Sequence, residues 1–323
     1  MKILTNCPEM CASEVLAAAR WASCVPDVLA GEERALWQAL APGQALWLGE
    51  AEEASGFWKL AVVVDEAPAS QFDAVVELLR GGWRLSRPLA CLALHGRNFH
   101  GLRGRSWVAL AGNLHLTAAW RPEDFPARLA PALAMLPAVA VVEGVRAASR
   151  GAIDPGIKWV NDILVRGRKI AGVITSTQVL GDRITSVTVG VGLNVARTPE
   201  VSPTPFVPAA GSLAEAGARV TLKEACAGVL SALAAWYAKL VDCGPEALAA
   251  AYRSASVIIG REVCIWDETA GEAGAGTQLP PPLIRGRVRD IGPDLSLWLE
   301  GVEAPVTKGR LALAENARPP VSL

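Results

Sequence analysis

At 323 residues with 51% hydrophobic content, the chain can bury a sizeable core and is long enough for two domains and an appendage. Its net charge of −1 sets up no global field that would recruit nucleic acid. Its seven cysteines are scattered: Cys7 and Cys11 have no second pair and no histidine nearby, which argues against a zinc site, while Cys91, Cys226 and Cys264 lie in apolar runs as small buried residues do.

That cysteine usage suits a reduced cytosol. No stretch of about 20 uninterrupted apolar residues appears, and the start lacks a basic n-region followed by an apolar h-region. The expectation is a soluble, cytoplasmic chain that does not enter a membrane.

Residues 1 to 45 read as an alanine-rich helical extension, with helical spacing in EVLAAARWA and EERALWQAL and breaks at Pro26 and Pro42. An apolar strand follows over residues 58 to 64, and a turn through Ser70 and Gln71 opens a helix to Arg80. A buried strand over 89 to 94 precedes an arginine-rich loop, FHGLRGRSW, and then a strand over 114 to 120. Residues 126 to 149 read as a long helical stretch. Four prolines make 198 to 210 a loop, which serves equally as a closing segment or a plain linker. Helices at 222 to 240 and 245 to 252 end a domain spanning 46 to 254. Residues 255 to 318 then read as about five short strands of a small barrel, interrupted by a loop insert at 268 to 282. The predicted class is α+β: a mixed sheet packed by helices, followed by that barrel.

The segment KWVNDILVRGRKIAG, residues 158 to 172, carries the densest chemistry. Ile163, Leu164 and Val165 form one strand, Arg166 and Gly167 a two-residue turn, and an apolar run resumes at Ile170, so a hairpin brings Lys158, Asp162 and Lys169 together. Two lysines and an aspartate suit an acyl phosphate: the cations neutralise carboxylate and phosphate oxygens, and the carboxylate can hold magnesium. A charged turn that is merely solvated is the plain alternative for the segment taken alone.

Three further blocks stand in order around it: Arg103 to Trp107 (RGRSW), Gly112 to Thr117 (GNLHLT) and Val187 to Val195 (VTVGVGLNV). Together with KWVND and RKIAG they resemble the signature of biotin protein ligases, over roughly residues 60 to 315. The resemblance implies a biotin/lipoate ligase-type catalytic domain followed by an SH3-like domain. It implies an enzyme that uses ATP to activate biotin as an adenylate and passes it to a lysine of the biotin carboxyl carrier domain of a carboxylase. Oligomeric state stays open, a homodimer being compatible.

By the same resemblance Lys169 spans the acid carboxylate and the phosphate, Lys158 is directed at the phosphates, and Asp162 is the magnesium-linked carboxylate. Arg105 matches a phosphate-binding loop arginine, whereas Arg103 could simply pair on the surface. His100, Gly101, Leu102 and Gly104 complete the ligand loop, its glycines allowing close backbone approach. Asn161 and Gly172 belong to the two halves of the hairpin motif. Asn194 matches an asparagine near adenine, or caps a turn. Ser70 and Gln71 are what remains of a segment that binds the biotin ring.

Departures accompany the match. His100 and Leu102 stand where the family has arginines, Leu102 at the position that retains the adenylate. Val160 replaces the proline of KWPND, and Ser176 stands at a usual glutamate. These favour keeping two other readings: a lipoate or octanoate ligase of the same superfamily, and a weakened carrier-binding or vitamin-binding paralogue. Lipoate ligation is disfavoured by the absence of an RRxSGG block. Some relatives carry a DNA-binding N-terminus; here Lys2, Arg20 and Arg34 face Glu9, Glu14, Asp27, Glu32 and Glu33, the wrong sign for phosphate contact.

Overall fold

The computed structural model describes residues 1–16, 18–52, 55–270 and 279–315. Apolar runs such as Leu60–Ala67 (LAVVVDEA) and Leu89–Gly96 (LACLALHG) are buried almost throughout, because helices cover both faces of the sheet they join. Alternate side chains then feed opposite cores. Ala61 and Val63 enter the layer under the long Ala130–Ala148 helix, while Leu60, Val62 and Val64 enter the layer under Gly31–Leu40 and Gln71–Arg80.

The sheet runs, edge to edge, through Gly156–Lys158, Asp162–Val165, Arg168–Leu180, Arg183–Leu193, Leu114–Trp120, Leu89–Gly96, Leu60–Ala67, Lys2–Thr5, Leu46–Ala51 and Ala18–Cys24. It is mixed: Leu60–Ala67 is parallel to both Lys2–Thr5 and Leu89–Gly96, and the other pairings along this path are antiparallel. The helical stretches Ala127–Ala148 and Leu222–Cys243 are each apolar and long enough to cross a membrane by length and composition alone. They pack on each other instead, so closely that a Cβ on Gly144 would sit 2.8 Å from the Gly228 carbonyl carbon.

The N-terminal expectation is corrected. Residues 1 to 45 are not a helical appendage: Lys2–Thr5 is an interior strand of the main sheet, with Ile3 and Leu4 fully buried. The alanine-rich stretch read as helical contributes the edge strand Ala18–Cys24. Helix propensity differs by only tenths of a kcal/mol between most residues, and packing overrides it. Here the Trp21 ring lies flat on Gly49 of the adjoining strand, where a Cβ would come within 2.4 Å of it. Short helical turns occupy Pro8–Met10, Cys11–Val15 and Pro26–Val28, and the EERALWQAL segment forms the helix Gly31–Leu40.

The C-terminal part forms a four-stranded antiparallel sheet, ordered Leu297–Leu299, Ile284–Ile291, Glu262–Trp266, Arg310–Leu313. Its inner residues Val263, Ile265 and Val288 share one apolar core with the main body. The predicted insert at 268 to 282 falls partly on 271–278, and the last residues of the predicted barrel on 316–318; both lie outside the described residues.

Candidate functional site

The hairpin forms as its turn chemistry dictates. Arg166 (φ 48°) and Gly167 (φ 76°) both take left-handed backbone, which a two-residue turn joining right-twisted strands requires. Along the paired strands Ile163 faces Ala171 and Leu164 faces Lys169, leaving Ile170 as an unmatched bulge residue. That bulge turns Lys169 toward Gly172, whose ideal Cβ position lies 3.4 Å from Lys169 Cε.

Asp162 is the electrostatic centre. Lys169 Nζ lies 2.5 Å from Asp162 Oδ1, an ion contact whose angle falls short of a hydrogen bond. Lys158 Nζ lies 3.9 Å from Oδ2 and donates to the Phe206 carbonyl at 2.9 Å. Burial pushes the Asp162 carboxyl up, but the combined charge of Lys169, Lys158 and Arg105 outweighs it and holds the group ionised, below its ordinary value. For Lys158 burial wins and the ammonium is held below its ordinary value despite Asp162.

Above the hairpin lies a cavity of about 190 Å³. Its floor is one face of the sheet: Gly172 and Ile174, Gly192 and Gly190 opposite them, then His115 and Thr117. Gly192 makes room for Trp107, and Gly190 for Ile174 and Phe72. A Cβ on Gly192 would fall 2.4 Å from Trp107 Cε2, and one on Gly172 3.6 Å from Cζ3, so the indole lies across both strands. Lys169 Nζ sits 5.9 Å from the centre of this ring, at a distance where cation and π face attract. His115 is buried; desolvation holds its imidazole down at about 4 despite its contact with the Leu110 carbonyl, so the ring is neutral.

The arginine-rich loop closes one wall. His100 Nε2 is 2.5 Å from Asp73 Oδ2 and Nδ1 is 3.0 Å from the Gly101 carbonyl oxygen. The Gly101 contact raises the His100 pKa above its ordinary value; desolvation opposes the rise and Asp73 adds to it. Arg105 Nε donates to the Leu102 carbonyl at 3.1 Å. Arg103 takes left-handed backbone (φ 62°) and pairs with Glu268.

Of the residues expected from sequence, Ser70, His100, Gly101, Leu102, Arg105, Asn161, Lys169 and Gly172 line this cavity. Lys158, Asp162 and Arg103 line a second, smaller one of about 80 Å³ that shares Leu102, Arg105 and Asn161 with the first. Three of the expected residues line neither cavity. Gln71 lines neither cavity; it starts the Gln71–Arg80 helix and turns its amide to the Leu92 carbonyl inside the sheet. Gly104 lines neither, its role being the left-handed turn at φ 70°. Asn194 also lines neither. Its amide is consumed at 2.9 Å by the Gly211 carbonyl and at 3.4 Å by Asn113, which itself accepts from three successive backbone N–H groups, those of Val195, Ala196 and Arg197.

Asp162 is a single carboxylate shared by two ammonium groups with Arg105 nearby, and no cluster of three or more His, Cys, Asp or Glu side chains is arranged for a metal among the described residues, so magnesium would be held there only together with substrate phosphates. Trp107, Phe72, His115 and Thr117 are cavity residues that the sequence reading did not single out. The alternation Gly190-Val191-Gly192 was the available signal, because alternate glycines on a strand clear one face for a large neighbour.

Comparison with known proteins follows this geometry. A profile described as "Biotin/lipoate A/B protein ligase family" matches residues 81–194. The "Bifunctional ligase/repressor BirA" of Bacillus subtilis is 39% identical over 117 residues, covering 36% of this chain and 35% of that one. The chain thus spans about a third of the length of that relative. The "Biotin--[acetyl-CoA-carboxylase] ligase" of Paracoccus denitrificans is 32% identical over 179 residues, 54% of this chain and 73% of that one. Among solved structures, the biotin protein ligase from Aquifex aeolicus in complex with biotin and ATP superposes with a TM-score of 0.59 at 21% identity, covering 79% of this chain and 99% of the other. That likeness concerns the fold.

Proposed function

We propose a function from a plain premise: this chain belongs to the biotin protein ligase family. The reading is an ATP-dependent ligase that activates biotin as biotinyl-5′-AMP and transfers it to a lysine of a biotin carboxyl carrier domain. One observation carries it: Lys169, anchored by the buried Asp162, stands at the edge of a glycine-floored cavity beside Trp107. The relatives from Paracoccus denitrificans and Mycobacterium tuberculosis, both named as biotin ligases, favour biotin over lipoate or octanoate as the acid.

In this reading a carboxylate oxygen of the acid attacks the α-phosphorus of ATP. The new C–O–P linkage forms as the bond to the β-phosphate oxygen breaks, and pyrophosphate leaves with that electron pair. The acceptor amine then attacks the acyl carbon and AMP departs. Both steps concentrate negative charge near one phosphorus, and fixed cations in a water-poor site stabilise it without reorganising. Lys169 bridges carboxylate and phosphate, and Arg105 meets the phosphate from the loop. Lys158 supports Asp162 and the Phe206 segment rather than contacting the acid. Trp107 supplies an aromatic wall, and Ser70, Thr117 and neutral His115 offer polar groups to a ring system. We also propose that the four-stranded C-terminal sheet is the family's SH3-like domain, supported by its short antiparallel strands and the closing Leu297–Val306 bridge. The chain's seven free cysteines fit a cytoplasmic location.

The test is exchange of labelled pyrophosphate into ATP, run separately with biotin, lipoate and octanoate. Biotin-dependent exchange is expected, and exchange with lipoate or octanoate alone would reject the biotin reading.

A further inference from the structure

Two walls of the larger cavity are joined by an ion pair. One wall is the start of the Gln71–Arg80 helix, with Ser70 just before it and Phe72 in its first turn. The other is a short hairpin in which Phe99 pairs with Trp107 and His100 with Ser106, all four lining the cavity. His100 Nε2 reaches Asp73 Oδ2 at 2.5 Å and ties the hairpin to the helix. Asp73 does not line the cavity; it sits in the helix's first turn, where the dipole favours a negative charge.

Both partners of the imidazole are acceptors. Its other nitrogen, Nδ1, lies 3.0 Å from the Gly101 carbonyl oxygen, and neither that oxygen nor a carboxylate can donate. A neutral ring carries one N–H and satisfies one of them, whereas the imidazolium satisfies both. The protonated ring thus fastens the hairpin to the helix and also fixes the Gly101 peptide at the head of the hairpin turn. That peptide's N–H donates to the Arg105 carbonyl at 2.7 Å, and its oxygen also accepts from Gly104 at 3.2 Å. Loss of the proton sets a nitrogen lone pair against an oxygen and takes the charge from one end of the pair.

The other charges around the hairpin have their own partners. On the hairpin itself Arg103 is answered by Glu268, and Arg105 Nε donates to the Leu102 carbonyl. On the sheet, Lys169 is paired with Asp162, and neutral His115 lies against Phe99, ring centres 5.7 Å apart. At the strand ends Glu66 pairs with Arg97, and Asp65 lies 3.6 Å from His95. Among the described residues, Asp73 is the carboxylate within ion-pair distance of His100.

We infer that His100 and Asp73 are a positioning pair that holds the ligand hairpin closed on the bound acid while His100 is protonated and releases it when the ring is neutral. The inference rests on the acid-activating reading above and deepens it, since the pair acts through Gly101 and Trp107 rather than on the reacting atoms. Acid affinity is then full while His100 carries its proton. It falls as pH rises through the folded value of His100, which lies above the ordinary value of about 6.5.

The experiment measures biotin binding to the full chain by calorimetry between about pH 6 and about pH 9, where the carboxylate of biotin stays ionised. Wild type should lose affinity about three- to fivefold over this range, the scale of a partly exposed ion pair. His100→Gln and Asp73→Asn should bind at the weaker level without this fall, and combining them should add nothing further. His100→Arg, with a permanent charge and donors for both acceptors, should bind at the stronger level throughout. A wild-type affinity that stays level with pH, or that falls equally in His100→Gln, overturns the proposal. If lipoate or octanoate shows the His100-dependent profile and biotin does not bind, the pair stands and the biotin reading fails. Binding of none of the three acids by wild type overturns both.

Discussion

Asp162 and Lys169 meet across the hairpin, Oδ1 to Nζ at 2.5 Å, with the carboxylate buried and the ammonium at the cavity edge. The pair links stability to chemistry, since the group that orients the lysine is one that the fold cannot leave unpaired. Lys169→Ala should therefore lower acid-dependent pyrophosphate exchange by about 10²–10³, typical for loss of a preorganised charge contact. It should also cost about 1–3 kcal/mol of stability by leaving a buried carboxylate short of a partner. Adding Asp162→Asn should recover part of the stability and none of the activity, read by chemical denaturation beside the exchange assay.

The two shifted acids and bases of the site predict opposite pH limbs. Asp162 is depressed when folded, so its contribution is complete above the unfolded value of about 3.9 and is lost as pH falls through the lower folded value. His100 is raised, so its contribution is complete below about 6.5 and is lost as pH rises through the higher folded value. Melting temperatures across pH should show a flatter alkaline limb for His100→Gln and a flatter acid limb for Asp162→Asn; unchanged slopes would count against both assignments.

Leu102 lines both cavities, and under the proposed function it stands where a cation would cover the activated phosphate. Leu102→Arg should retain the adenylate longer, because binding gains appear mainly in dissociation rates. With biotin and ATP, wild type should label bystander proteins more than the variant does at matched adenylate formation. Equal labelling would mean that another side chain already retains the adenylate.

Gly192→Ala should displace Trp107, since the added methyl would overlap the indole at 2.4 Å. Strand pairing needs no glycine there, so the expected result is a folded protein with lost tryptophan environment and about tenfold or greater loss of acid adenylation. Near-ultraviolet dichroism and the exchange assay read the two effects separately.

Removal of residues 1 to 40 should abolish folding, because it strips the interior strand Lys2–Thr5 and exposes its neighbours Leu46–Ala51 and Leu60–Ala67. Leu4→Ala alone should cost about 2–5 kcal/mol. A soluble, cooperatively melting truncation would refute this.

The hairpin was legible because its information is local: Arg166-Gly167 names the turn, and apolar runs flank it. The cores of Leu60–Ala67 and Leu89–Gly96 were legible for the same reason. The N-terminal strand was not. Four residues, Lys2 to Thr5, are too few to show a period, and they acquire a conformation only by slotting between strands that arrive tens of residues later. Asn194 shows a different limit: its amide answers to Gly211 and Asn113, contacts invisible along the chain.

The bulge at Ile170 has a consequence for how this region can change. Side chains alternate along a strand, so one residue more or less reverses every face beyond it. Removing Ile170, or adding a third residue to the Arg166-Gly167 turn, would swing the Lys169 ammonium away from Asp162 and toward the helix-packed core. The hairpin is therefore open to substitution at many positions but closed to insertions and deletions, and drift in its length would extinguish the site before drift in its composition did.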